Sequence, residues 1–457
     1  MKIGMKKYNT VGKLLIVFTL SNGFFLRSES IPTEPILFPS SKIYQEALTR
    51  VQPPKPISFQ DIDPTIFERS KQKWKGLNDL KTGYKTPELN EFYLKKLSKL
   101  FPSVLQYYRL GTSRLGKEIP AILMTISKNK NAPSILLECG IHANEITTPE
   151  YCYDVLHTIL YRPKRFRHVL ENFRIWIVPI VNVDGSHFFW RENLEMGRKN
   201  GYFHKTQSEF SMERGVDLNR NFPANFGNSK TKYSSPDPKS VYYRGEKALS
   251  EPESMAIWEL AQKERFVFSL SFHARATAIL FPYTIEEWEN PNPSPSPYFA
   301  GIVAANAKSL REDKEYEAKK NIYPVEGTSN DALAYYFQTI ALLVETSHLA
   351  VEYSYMNELL QGFRRSWMAS FDELFLSPKV CLKVFKNKKP VEAKLEWDSI
   401  QYKNGEEILT NPQTGVHWQI VTSFEPHSGK IILQQTNEEK RFQIFPKIQF
   451  TCTTISF

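Results

Sequence analysis

Apolar residues in the middle of this chain follow two patterns. In "TPELNEFYLKKLSKLFPSVL", Thr86 reads as a cap and Pro87 opens the first turn. Leu89, Phe92, Leu94, Leu97 and Leu100 then recur at near-helical spacing, which predicts a helix. Elsewhere the apolar residues run almost unbroken, in "AILMTIS", "SILLECG", "FRIWIVPIVN", "RFVFSLSFH" and "TIALLVETS". Such runs suit strands buried on both faces. After "SILLECG", Thr148 and Pro149 read as an N-cap and first helical residue, and the helix continues through Tyr151, Val155, Leu156 and Ile159. Strands alternating with helices predict an α/β domain with a mixed, largely parallel central sheet flanked by helices.

The pattern changes toward both ends. From residue 379 the runs become short and alternating, broken by "KNG", "NPQTG" and "PHSG", which predicts a small all-β sandwich over 379–457. The catalytic-type α/β domain is placed at 82–378. Residues 28–81 are polar, carry "IPTEP" and "QPPKP", and read as a linker or short pro-segment. Residues 1–27 combine Lys2, Lys6, Lys7 and Lys13 with an apolar stretch from Leu14 and the small residues Ser21 and Gly23. That is a secretory signal pattern, and the apolar stretch is too short for a stable membrane span. The Pro-rich 289–299 segment has candidate chemistry on both sides, so it reads as a rim loop of one domain.

Composition narrows the classes. With 457 residues, 41% hydrophobic and 24% charged, the chain is globular. The net charge of +10 comes from Lys and Arg scattered among acids, with no basic run or RNA-binding aromatic motif, so nucleic acid is not an expected partner. A diffuse positive field favours anionic substrates weakly. Four cysteines fit an exported protein with few disulfides; Cys381 and Cys452 are expected to pair, and Cys139 and Cys152 to be buried thiols.

Chemistry concentrates where apolar runs end. His142 and Glu145 follow "SILLECG", His273 follows "FVFSLSF", and Glu345 follows "IALLV". In open α/β sheets the carboxyl ends of strands form the ligand crevice, so these groups point to one site. Two His and one Glu leave the fourth tetrahedral position open, the arrangement of catalytic zinc. In "GVDLNRNFPANFG", Asn219 and Arg220 set an amide beside a guanidinium fork, which suits a carboxylate.

Over about residues 82 to 375 the sequence resembles the zinc metallocarboxypeptidases, the family of carboxypeptidases A, B, T, N and E. The likeness runs in order through "YKTPELNEFYLKKLSKLFPSVLQYYRLGTSRLGKEIPAIL", "GIHANE", "VNVDG", "GRKN", "GVDLNRNFP", "YRGEKALSEPES", "FSLSFHARATAILFPY", "YPVEGTSND" and "LLVETS". The resemblance implies that His142, Glu145 and His273 hold one zinc ion and that Glu345 is the general base. It implies Arg198 as the arginine polarising the scissile carbonyl, with Arg191 and Arg214 as competitors. It implies Asn219, Arg220 and Tyr323 as the grip on the substrate's terminal carboxylate, and Asp217 as the carboxylate orienting the first ligand His. Asn330 would line the floor of the pocket for the departing residue, with Thr284 as the other specificity position and Glu326 as the nearby acid. Arg275 departs from the family pattern and falls near the cleft. The 379–457 module resembles the transthyretin-like domain of the N/E branch.

The implied protein is a secreted or periplasmic, monomeric zinc exopeptidase acting on peptide or protein C-termini, with a preference for neutral terminal residues. Two other readings compete. One is a zinc amidase of the same fold acting on γ-linked or diamino-acid cell-wall peptides. The other is a catalytically dead binding protein.

Overall fold

The structure is a computed structural model and describes residues 83–191, 198–203, 210–211, 215–228, 231–309, 314–346, 351 and 353–457. The expected signal segment 1–27 and linker 28–81 lie outside the described residues. Helix α1 (Pro87–Leu100) is capped by Thr86, whose side chain accepts from Leu89 N–H, and it buries Leu94 and Leu97. Then follow β1 (Leu105–Thr112), β2 (Glu118–Met124), β3 (Ser134–Glu138), α2 (Thr148–Tyr161), α3 (Arg167–Asn172), β4 (Arg174–Val178) and α4 (Val183–Arg191). Next come α5 (Pro252–Glu264), β5 (Phe268–Ala274), β6 (Ala278–Leu280), α6 (Ser296–Ala305), β7 (Glu317–Lys319), α7 (Ser329–Phe337), β8 (Ile340–Thr346) and α8 (Met356–Leu376).

One eight-stranded sheet takes the order β1-β2-β4-β3-β5-β8-β6-β7. Its centre, β4-β3-β5-β8, is parallel. Antiparallel pairs flank that centre: β1 with β2, β2 with β4, and β8 with β6. Every residue of β3 and β5 is buried, as unbroken apolar runs require. The parallel strands end on one side, and His142, His273 and Glu345 all come from that side. In the β5–β8 register Glu345 stands directly opposite His273.

Beyond α8 the chain forms two smaller sheets from β9 (Lys379–Lys386), β10 (Lys389–Pro390), β11 (Lys394–Trp397), β12 (Ile408–Leu409), β13 (Val416–Ile420), β14 (His427–Ile432), β15 (Glu439–Ile444) and β16 (Thr453–Ser456). One sheet runs β10-β9-β13 with β16 beside β9; the other runs β12-β11-β14-β15. Val380, Leu382, Val384, Leu395, Ile431 and Phe442 form their shared core. This region is welded to the α/β body. Val416, Trp418 and Ile420 belong to the body's main apolar cluster, and Trp418 Nε1 donates to the Asn131 carbonyl at 2.8 Å. Asn292, in the Pro-rich segment, pairs with Gln401 of the β region. That segment is therefore an inter-region contact as well as a loop of the body. Cys381 and Cys452 are disulfide-bonded, as expected. Among the described residues no helix is long and apolar enough to cross a membrane.

Candidate active site

The loop after β3 is held from several directions. Gly140 turns the chain at φ +60°, and an added Cβ would stand 3.2 Å from the main chain of Pro179 and Ile180. A side chain is disfavoured there by conformation and by space. Gly140 N–H donates to Thr148 Oγ1 (3.1 Å), Thr148 Oγ1 donates to the Glu145 carbonyl (2.8 Å), and Glu145 N–H donates to the His142 carbonyl (3.1 Å). Thr148 is thus a tie across the loop and the first residue of α2; the N-cap position belongs to Thr147, one residue earlier than expected. The expectation of thiols at Cys139 and Cys152 is also overturned. The two are joined by a disulfide, with the strand end on one side and α2 on the other. Their spacing of 13 residues says nothing until β3 and α2 are packed side by side.

Inside this loop His142 and Glu145 meet His273. His142 Nδ1 is 2.9 Å from Glu145 Oε1 and 3.1 Å from His273 Nδ1, and His273 Nδ1 is 3.3 Å from Glu145 Oε2. All three are buried, and they form the one His/Cys/Asp/Glu group able to hold a metal ion among the described residues. His142 Nε2 faces Asp217 Oδ1 at 3.1 Å. A carboxylate on that nitrogen fixes its proton there and leaves the Nδ1 lone pair facing the group. Burial lowers the pKa of His273, which keeps its ring neutral as a ligand must be. Burial opposes ionisation of Glu145, yet His142 and His273 hold it below the usual carboxylate range. Two imidazoles and a carboxylate, with ligand atoms within 4.8 Å of one another, are a donor set that fits a zinc ion with one open position.

Asp217 also anchors Arg198, whose Nε and Nη2 are each 2.9 Å from Asp217 Oδ2. Arg198 Nη1 reaches within 3.5 Å of His142 Nδ1 and 3.9 Å of Glu145 Oε1. The Arg198 carbonyl accepts from Asn182 Nδ2 (3.4 Å), and Asn200 is bonded to Val216 in both directions at 3.0 and 2.8 Å. Burial opposes ionisation of Asp217, but Arg198, Arg220 and His142 together hold it well below the usual range. Of the competing arginines, Arg214 and the Arg191 side chain lie outside what the structure describes.

Asn219 and Arg220 sit in a buried 3₁₀ turn, Leu218–Arg220, capped by Asp217. Arg220 Nε donates to the Tyr233 carbonyl (2.5 Å) and Nη1 to the Asn219 carbonyl (2.7 Å). Asn219 Oδ1 accepts from Ser329 N–H at the start of α7 (2.9 Å). Tyr323 packs on Tyr233 with ring centroids 4.1 Å apart. A cleft of about 490 Å³ joins these groups: His142, Glu145, Arg198, Asn219, Arg220, His273, Arg275, Tyr323 and Glu345 all line it. Burial, then repulsion from Glu145, raises the pKa of Glu345 to about 8.

The far wall differs from the expected one. Leu280, Thr284, Ile322, Val325, Thr328 and Leu343 line the cleft, and Asn330 is not among them. Asn330 lies in the first turn of α7, buried, with Nδ2 3.3 Å from Asp331 Oδ1. Thr284 lines the cleft and donates its N–H to Asp331, the residue after Asn330. Glu326 does not swing into the cleft: it is fully buried, with Arg244 Nη1 3.9 Å away. The motif reading missed Tyr242, whose ring lies beside both Arg198 and Arg220, and Tyr233, which packs against Tyr242 and accepts from Arg220 through its carbonyl. The only signal was a cluster of tyrosines in "KYSSPDPKSVYY" just after the Asn-Arg pair.

A family model described as zinc carboxypeptidase matches residues 91–369, well over half of the chain. Human mast cell carboxypeptidase A is 28% identical over 248 residues, covering 52% of this chain and 57% of its own. An inactive metallocarboxypeptidase of Sclerotinia sclerotiorum is 27% identical over 239 residues, covering 49% of this chain and 39% of its own. The chain thus spans little more than half, or less, of these curated relatives. The bovine thrombin-activatable fibrinolysis inhibitor, solved with a tick carboxypeptidase inhibitor, superposes with a TM-score of 0.55 at 20% identity, over 64% of this chain and 97% of that one. That likeness is one of fold. With the matched region spanning every element that builds the cleft, the chain belongs to the zinc carboxypeptidase family.

Proposed function

We propose that this protein is an active, exported zinc carboxypeptidase that releases one neutral residue from a peptide's C-terminus. The reading rests above all on the Asn219–Arg220 pair opening into the same cleft as the His142/Glu145/His273 group and Glu345. A guanidinium fork binds a free carboxylate with two hydrogen bonds, and an internal peptide bond offers no carboxylate one residue on. Zinc, when held by His142, Glu145 and His273, supplies a Lewis acid that acidifies water and polarises a carbonyl. Glu345 accepts the proton of the attacking water and passes it to the leaving amine. Arg198 donates to the carbonyl oxygen as negative charge grows there. Asn219, Arg220 and Tyr323 hold the terminal carboxylate, and Asp217 keeps His142 and Arg198 aimed.

One relative is named inactive, but this chain keeps the metal group, the arginines and Glu345 together, which favours activity. The wall of Leu280, Thr284, Ile322, Val325 and Leu343 carries no acid, so a departing Lys or Arg would lose water without gaining a partner. Two disulfides favour an oxidising compartment, in keeping with the signal pattern at 1–27.

The test is kcat/KM for matched peptides ending in Leu, Phe, Gln, Lys and Arg, each with a free and an amidated terminus. Neutral free termini should be cleaved best. Arg220→Ala should reduce cleavage of free termini by about 2–5 kcal/mol in kcat/KM, the cost of stripping one side from a buried charge pair. Equal cleavage of free and amidated ends overturns the exopeptidase reading; a tenfold preference for Lys or Arg overturns the neutral pocket.

A further inference from the structure

Two of the three arginines that line the cleft, Arg198 and Arg220, share one aromatic ring. The Arg198 guanidinium carbon lies 5.5 Å from the centroid of Tyr242, and that of Arg220 lies 5.7 Å from it. Tyr242 lines the cleft. Tyr233 packs edge-on against it at 5.6 Å and in turn lies 4.1 Å from Tyr323. Two tyrosines, Tyr242 and Tyr233, therefore connect both guanidiniums to Tyr323, the residue expected to close over substrate.

The main chain around Tyr242 is fixed to the same groups. Tyr242 N–H donates to Ser240 Oγ (3.1 Å), and its carbonyl accepts from Ser235 N–H (2.9 Å). Lys199, next to Arg198, donates Nζ to the Pro238 and Ser240 carbonyls, both at 2.9 Å. Asp217 N–H donates to the Tyr243 carbonyl (2.8 Å). The ring is thus carried on a loop bonded to the neighbour of Arg198 and to the carboxylate that holds Arg198.

Two like charges in one partly dry cleft repel each other. Arg198 has Asp217 as counter-ion, whereas the hydrogen bonds of Arg220 go to two neutral carbonyls. An aromatic face attracts a guanidinium without occupying its N–H fork. A ring near both cations can therefore fix their spacing and leave their donors available for a ligand.

We propose that Tyr242 is a positioning residue whose ring sets the separation of Arg198 and Arg220, so that the terminal carboxylate and the scissile carbonyl are engaged at once. The proposal rests on the exopeptidase reading for its kinetic consequences, and on the cleft geometry alone for its effect on carboxylate binding.

The experiment compares wild type with Tyr242→Leu, Tyr242→Met and Tyr242→Phe, each also in an Arg220→Ala background. It measures kcat and KM on a free-terminus peptide, binding of 3-phenylpropanoate by calorimetry, zinc content and thermal unfolding. Loss of the ring should raise KM and lower kcat, each by about 2- to 30-fold, and weaken 3-phenylpropanoate binding by a similar factor. Tyr242→Phe should restore most of both, and zinc content should not change. In the Arg220→Ala background the effect on KM and on probe binding should vanish while the effect on kcat persists. Effects that add fully to Arg220→Ala, or a Phe variant as poor as Leu, overturn the proposal. Should Leu unfold the protein, Met, of similar volume to Leu but unbranched and flexible enough to follow the ring's outline, supplies the same comparison. Wild type that binds 3-phenylpropanoate yet cleaves no free-terminus peptide would refute the exopeptidase reading, and the binding cycle would still decide the role of Tyr242.

Discussion

Removing the Cys139–Cys152 disulfide should weaken zinc binding, whereas removing Cys381–Cys452 should not. Cys139, Cys152 and Cys381 are buried and Cys452 is half-buried, so alanine is the right replacement: serine would bury unpaired hydroxyls. The bridges close loops of very different length, 13 and 71 residues apart in sequence. Loop-closure entropy then assigns about 3 kcal/mol to the short one and about 4 kcal/mol to the long one. On global stability alone, the long bridge should matter more. The short bridge, however, encloses His142 and Glu145, two of the three residues proposed to hold zinc. If half of its 3 kcal/mol keeps the metal-free loop assembled, its loss reduces zinc affinity about tenfold. The assay pairs urea unfolding with zinc competition against a chelator of known affinity, on Cys139→Ala/Cys152→Ala and Cys381→Ala/Cys452→Ala. Zinc affinities within twofold of each other would refute the idea that the short bridge preorganises the metal loop. An affinity loss confined to the long-bridge variant would reverse it.

Two further outcomes are expected. Glu345→Gln keeps size but cannot take a proton, so turnover should fall about 10²–10⁴-fold while zinc, measured by metal analysis, stays bound; zinc loss in this variant would remove Glu345 from its role as base. Burial holds His417, on β13, at about 4 instead of 6.5, so the unfolded chain protonates first and the stability it contributes is present above pH 6.5 and lost as pH falls toward 4. A shift of that size is worth at most about 3 kcal/mol, and urea unfolding of His417→Gln against wild type should show a smaller drop between pH 6.5 and 4.5 in the variant.

The convergence of His142, Glu145, His273 and Glu345 on one cleft was legible in sequence because buried strands leave few reasons for a polar end. His142, His273 and Glu345 stand where unbroken apolar runs stop, and a sheet gathers such ends without any help from loops. Arg220 was legible by the same contrast, as a charge fixed between Asp217 and a Pro-containing turn. What sequence hid was whatever depends on two distant segments meeting. Cys139 and Cys152 pair only once β3 lies beside α2. Tyr242 matters only because Ser235 and Tyr243 bridge, folding its loop against Arg198 and Arg220. Asn330 was expected at the pocket floor from its place three residues after Gly327 in the family motif, whereas Thr284, the other expected position, lines the cleft and is bonded to Asp331. Helix α2 begins one residue off the expected cap because Thr148 uses its hydroxyl to bind the metal loop.

The pairing of Glu345 with His273 across β5 and β8 makes the sheet itself a ruler. Parallel neighbours stand about 4.8 Å apart whatever the chain does between them, and a one-residue slip of one strand would turn its side chain to the face opposite its partner's. The distance from Glu345 to His273 is therefore indifferent to the long excursion that joins the two strands. That excursion is where Thr284, Ile322 and Val325 arise, residues of the far wall of the cleft proposed to shape the pocket for the departing side chain. Chemistry and selectivity are mechanically uncoupled in this architecture. The excursion can be rewritten to admit a different terminal residue while the reaction geometry, stored in hydrogen-bond register, is inherited intact.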